Sequence, residues 1–174
     1  ADRTLPTKAV VLGARATASS ALAALGELGI VTSTVAARRF GGPGSVVAAS
    51  SRLGVSIEQV LWSDRGAVLR AVSGADLVIS TLPAGVADPL AEEMTVREGQ
   101  VLLDVVYSPR ETALRSAFER NGGIVAEGTD MLIYQAAAQV QLMTGRSPKT
   151  DVMRGALEAE LARRARVNGG GAAS

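Results

Sequence analysis

The chain alternates short, nearly continuous aliphatic runs with amphipathic stretches, and that alternation constrains its fold more than any other feature. The runs cover residues 9–12, 30–37, 77–81, 101–107 and 124–126, with a weaker one between Val55 and Trp62. Continuous apolar runs of this length suit parallel strands covered on both faces, because neither face has to meet water. Between the runs, Ala18, Leu22 and Leu25 share one helical face, and so do Ala113, Ala117 and Phe118. Breaks fall at residues 41–44, Pro83, Pro109 and residues 122–123. The pattern predicts an α/β fold, a doubly wound parallel sheet in a single domain.

Composition narrows the function classes. With 174 residues, 47% of them hydrophobic, the chain is long enough for one domain with a substantial core. Eighteen basic side chains face 17 acidic ones, so no basic excess points to nucleic acid. The apolar runs are too short to span a bilayer. No signal peptide is evident and the first residue is not methionine; the expectation is a chain that begins partway along a longer gene product, in a soluble, cytoplasmic setting. The tail, residues 168–174 (NGGGAAS), is expected to be flexible, either a frayed terminus or a cut linker. Cysteine and histidine are both absent, which removes disulfides, thiol nucleophiles, thiolate metal sites and imidazole acid–base chemistry. Proton transfer would fall to carboxylates, tyrosines or lysines, and the only lysines are Lys8 and Lys149.

The turn after the first run, GARATA, stands where a nucleotide-binding crossover places glycines. Such a turn needs one glycine for the tight bend, a second for close approach of the backbone to a pyrophosphate, and a third for helix–strand contact. Gly13 meets the first need, while Arg15 and Ala16 occupy the later positions. By itself this is a weak signal, equally compatible with a plain strand–helix turn. The second run ends in STVAARRF. An NAD site places a carboxylate there for the ribose 2′-hydroxyl; here Arg38 and Arg39 offer forked donors suited to a 2′-phosphate. Turn and arginine pair together favour NADP.

The second half carries LLDVVYSPRETALRSAFERNGG, then GTDMLIYQAAAQVQLMTGRSP, then VMRGAL. An aliphatic strand ending in D-x-x-Y-x-P, then T-x-L, a glycine, M-L-x-x-Q, T-G and a last helix near V-M resembles the C-terminal half of the shikimate dehydrogenases. The resemblance implies a Rossmann-like, NADP-binding domain over residues 1–167, including C-terminal helices. It places Gly13, Ala14, Arg15, Ala16 and Thr17 on the family's NADP loop. Ala37, Arg38 and Arg39 fall on its N-R-T stretch, and Thr81, Leu82 and Pro83 on a strand end that passes the cofactor. Val105 and Gly128 fall on positions that flank the nicotinamide, and Met131 among the cofactor-binding positions. Tyr107 and Gln135 match the two residues that this half lends to shikimate, with Met131 and Gln135 on one helical face. No metal is implied.

The same resemblance implies that the catalytic lysine and its aspartate partner belong to an N-terminal substrate lobe that these residues do not include, so no catalytic residue is assigned here. Two departures predict weakened NADP binding: Arg15, on the expectation that the turn leaves little room for a Cβ, and Asp130, a carboxylate near the expected phosphates. Three readings follow. One is the cofactor lobe of a shikimate dehydrogenase, inactive alone. Another is a non-catalytic module whose degenerate loop binds no dinucleotide. The third is the lobe of a quinate dehydrogenase. Met153, Leu157 and Leu161 form a stripe on the last helix, predicting self-association or a misplaced terminal helix where its cover is lacking.

Overall fold

The structure is a computed structural model that describes residues 5–108 and 111–169. The break assigned to Pro109, and residues 170–174 of the tail, lie outside the described residues. Six parallel strands form one sheet in the order β3-β2-β1-β4-β5-β6. In chain order these are β1 (Ala9–Leu12), β2 (Thr32–Ala37), β3 (Ser56–Leu61), β4 (Leu77–Ser80), β5 (Val101–Asp104) and β6 (Ile124–Ala126). Helices α1 (Ala16–Glu27), α2 (Val46–Leu53), α3 (Arg65–Gly74), α4 (Asp88–Glu93) and α5 (Ala113–Arg120) connect them, and α6 (Gly128–Thr144) and α7 (Thr150–Gly169) follow. The chain falls into two compact units, one ending at Ala126 and the other beginning at Glu127.

Strand pleating explains why the runs are continuously apolar. Val10, Leu12, Val78 and Leu102 point to one face and join Val68 and Val72 of α3, Leu90 of α4, and Leu114, Ala117 and Phe118 of α5. Ala9, Val11, Val35 and Ile79 point to the other and join Ala18, Leu22 and Leu25 of α1 and Val46 of α2. Alternate residues thus feed two cores, as parallel strands sandwiched between helix layers require. Each fully buried Leu or Phe contributes roughly 1.5–3 kcal/mol of transfer free energy.

The runs at 30–37 and 101–107 extend two or more residues beyond their strands, each for a local reason. Ile30 was expected to open β2, but its N–H donates to Leu25 O at 2.9 Å, and that of Gly29 (φ +84°) to Gly26 O at 3.0 Å. This pair of bonds closes α1, and a glycine takes the left-handed position it needs. The strand therefore starts at Thr32. The run at 101–107 stops as a strand at Asp104 because the Asp104 carboxylate accepts the Val106 N–H at 3.2 Å, turning the chain. The weak run became β3, an edge strand with every central residue only partly buried or exposed, which is why its apolar signal is faint.

Asp76, just before β4, ties down the start of β1. Its Oδ2 accepts from Thr7 N at 3.0 Å, Thr7 Oγ1 at 3.0 Å and Lys8 N at 3.1 Å. Its Oδ1 accepts from Arg97 at 3.3 Å. The Thr7 N–H, followed by those of Lys8 and the Thr7 hydroxyl, lowers this carboxyl to about 2.

In the second unit, Arg154 of α7 pairs with Asp130 in the first turn of α6. Met153, Leu157 and Leu161 of α7 are each partly exposed.

Candidate functional site

The strand order reverses between β1 and β4, and there the loops after the two strands part to leave a crevice. Gly13 makes the turn out of β1 with φ +113°, and its N–H donates to Ala36 O at 2.8 Å. Thr81, leaving β4, donates both its N–H and its Oγ1–H to Leu12 O, each at 2.8 Å. A Cβ at position 13 would lie 2.2 Å from Thr81 Oγ1. Position 13 therefore has room for glycine alone, on both conformational and steric grounds.

A cleft of about 330 Å³ opens over this junction. Gly13, Ala14 and Arg15 form one wall; Ala37, Arg38 and Arg39, at the end of β2, form a second; Thr81, Leu82 and Pro83 form a third. The structure thus gathers nine of the residues that the sequence singled out. Ala16 and Thr17, in the first turn of α1, are exposed but do not line the cleft. Val105 is half-buried on the loop after β5, with its N–H donating to Ser80 O at 3.0 Å, and Tyr107 on the same loop is exposed. In the second unit, Gly128 and Met131 belong to the first turn of α6, Gly128 buried and Met131 partly so, and Gln135 lies exposed one turn beyond Met131.

Charge at the cleft is of one sign. Arg15, Arg38 and Arg39 are all exposed, form no ion pair among the described residues, and share the cleft with no acidic lining residue. Elsewhere Arg65, Arg97, Arg115 and Arg154 are each matched to a carboxylate. The start of α1 adds to the positive field: its first turn has no acid, and no side chain caps it. A tight glycine turn, an open helix N-terminus and unpaired guanidiniums fit the phosphates of a dinucleotide.

Two expectations about weakened binding lose their physical basis. Arg15 sits at φ −100°, ψ −166°, an extended conformation any residue adopts, so the turn accommodates its Cβ without strain. The only positive-φ residue of that turn is Gly13. Asp130 is neutralised by Arg154 rather than left as a bare carboxylate.

Sequence reasoning missed three lining residues: Gly41, Trp62 and Val86. Trp62 is the chain's only tryptophan. It stands immediately after β3, half-buried, with its N–H donating to Ala37 O at 2.9 Å, one strand over from Arg38. Its position at the end of the weak aliphatic run was the available clue. Asp104, buried at the end of β5, accepts from Thr112 Oγ1 at 2.8 Å as well as from Val106, joining the loop of Tyr107 to the start of α5.

Comparison with known proteins is consistent with this geometry. The family profile described as "Shikimate 5'-dehydrogenase C-terminal domain" matches residues 128–158. The shikimate dehydrogenase (NADP(+)) of Moorella thermoacetica is 33% identical over 151 residues, covering 84% of this chain and 51% of that protein. The crystal structure of Mycobacterium tuberculosis shikimate dehydrogenase superposes with a TM-score of 0.76 at 38% identity, covering 87% of this chain and 56% of that one. The chain belongs to the shikimate dehydrogenase family. A further family structure, that of the Thermus thermophilus enzyme in complex with NADP(H) and shikimate, aligns with a TM-score of 0.64 at 28% identity, covering 90% of this chain and 54% of that one. The chain spans about half the length of the relatives it matches. Among the described residues, no helix is long and apolar enough to cross a membrane.

Proposed function

We propose that this chain is the cofactor-binding lobe of an NADP-dependent shikimate dehydrogenase. The observation that carries the reading is the cleft at the sheet's reversal point, where the Gly13 turn and the Arg38–Arg39 pair face one space with no carboxylate among its lining residues. The open end of α1 receives the pyrophosphate, and the arginines after β2 receive the 2′-phosphate. Trp62 offers an apolar face beside them for the purine. Thr81, Leu82 and Pro83 form the wall along which the cofactor runs toward Val105. Tyr107 contributes a polar contact to shikimate, and in the second unit Gly128, Met131 and Gln135 are candidates by the family resemblance alone.

When bound, NADP exchanges hydride with the carbon that bears the substrate hydroxyl. The part played by these residues is to bind and orient. The family resemblance implies a general base outside residues 1–174, so these residues alone are expected to turn nothing over. Titration of the chain with NADP and with NAD, read by calorimetry and by the fluorescence of Trp62, tests the proposal. Saturable binding with NADP preferred supports it; no binding of either dinucleotide rules it out.

A further inference from the structure

We infer that Arg15 is a phosphate-binding residue of the cleft, pairing with the pyrophosphate of a bound dinucleotide. The inference rests on the cofactor-lobe reading above and reverses the expectation that Arg15 obstructs the loop.

Three observations carry it. The backbone beneath Arg15 is held from several sides while its side chain is free. Gly13 N–H is bonded to Ala36 O at 2.8 Å, Ala14 O accepts from Val46 N at 3.3 Å, and Arg15 O accepts from Ser19 N at 3.0 Å. The Arg15 guanidinium, by contrast, is exposed, has no ion-pair partner among the described residues, and lines the cleft. With the backbone already fixed, only the side chain's own freedom is lost when its planar fork engages an anion. Arg15 is also the N-cap residue of α1, and because a guanidinium has no acceptor the helix's first N–H groups have no side-chain cap. Guanidinium and helix N-terminus therefore act on the same space with the same sign. Finally, Arg15 and the pair Arg38–Arg39 follow neighbouring strands, β1 and β2, so they address different parts of an extended ligand. The group over the start of α1 is the pyrophosphate, and the group over the end of β2 is the 2′-phosphate.

That division yields a specific signature. The pyrophosphate is common to NADP and NAD, whereas the 2′-phosphate belongs to NADP alone. Wild-type chain, Arg15→Ala, Arg15→Gly and Arg15→Lys would each be titrated with NADP, NAD and inorganic pyrophosphate by calorimetry, with circular dichroism as the check on folding. Arg15→Ala and Arg15→Gly are expected to weaken both dinucleotides by the same factor, roughly tenfold or more, leaving the NADP-to-NAD ratio unchanged. Arg15→Lys, which keeps the charge and loses the fork, should fall between. Tighter binding by Arg15→Gly would mean that the arginine obstructs the site. Unchanged binding would make it a bystander, and a loss confined to NADP would move it to the 2′-phosphate; each overturns the inference. If wild-type chain binds pyrophosphate in an Arg15-dependent way yet binds no dinucleotide, the cofactor-lobe reading fails while Arg15 remains an anion ligand. If it binds none of the three, both fail.

Discussion

Gly13 and Thr81 meet at the point where the sheet reverses: a side chain on Gly13 would begin 2.2 Å from Thr81 Oγ1, itself fixed by its hydrogen bond to Leu12 O. The contact sets how closely the loops after β1 and β4 approach, and so shapes the floor of the cleft. Gly13→Ala is expected to destabilise the chain by about 1–3 kcal/mol, because a strained φ is added to a steric conflict. Thr81→Ala should relieve the conflict and leave the strain. The double variant will then be less destabilised than the sum of the singles, which a double-mutant cycle in urea measures directly. Simple additivity would mean that the two residues do not meet.

The Asp76 clamp predicts a pH dependence. Its folded-state value of about 2 lies below the ordinary 3.8. The stabilisation is thus complete above the ordinary value and lost as the pH falls through the folded one. The Asp76 side chain is 37% exposed, and solvent screening keeps the effect modest. Glu160, lowered to about 2 by its hydrogen bonds with Arg163 and Arg164, adds a contribution of the same sign on α7. Urea midpoints should fall between pH 4 and pH 2, and Asp76→Asn should lie below wild type at pH 6 and converge with it in acid. A variant that parallels wild type across the range would remove Asp76 from the account.

Catalysis by residues 1–174 alone is not expected. Lys8 precedes β1, at the end of that strand opposite the cleft, and Lys149 immediately precedes α7; with no histidine in the sequence and no carboxylate among the described residues that line the cleft, neither lysine, imidazole nor carboxylate is placed there to take the alcohol proton. Purified chain incubated with shikimate and NADP should give no reduced nicotinamide by absorbance. Turnover above a blank would show that the catalytic groups have been misplaced.

Apolar surface in the second unit predicts self-association. On α6, Leu142 is 87% and Met143 83% exposed, and the stripe Met153, Leu157 and Leu161 on α7 is only partly covered. Patches of this kind tend to be buried against a partner. Light scattering across a dilution series should show mass rising with concentration; a strictly monomeric species with a protease-resistant α7 would contradict it.

Much of this was legible in the sequence because the signals were local. Alternating apolar runs gave the sheet and both helix layers, Gly13 gave the turn, and Arg38 and Arg39 stood side by side at the end of β2. Boundaries were less legible, since Ile30 and Val106 are apolar residues whose N–H groups are taken by a helix end and by Asp104. Long-range pairings left no trace. Asp130 reads as a bare carboxylate until Arg154, on the next helix, is seen beside it. Trp62 belongs to an edge strand too amphipathic to stand out, and only the sheet brings it to the cleft. The conformation of Arg15 was the largest gap, because a residue type does not reveal its φ.

The central claim, that this cleft takes NADP by its 2′-phosphate, is tested most directly by calorimetric titration of wild-type chain, Arg38→Ala and Arg39→Ala with NADP and NAD. Wild type should prefer NADP. Arg38→Ala should lose roughly 1.5–3 kcal/mol toward NADP, the worth of a hydrogen bond to a charged group, with NAD binding almost unchanged; Arg39→Ala should shift in the same direction. Equal affinity of wild type for the two cofactors, or an equal loss for both in Arg38→Ala, would contradict the account.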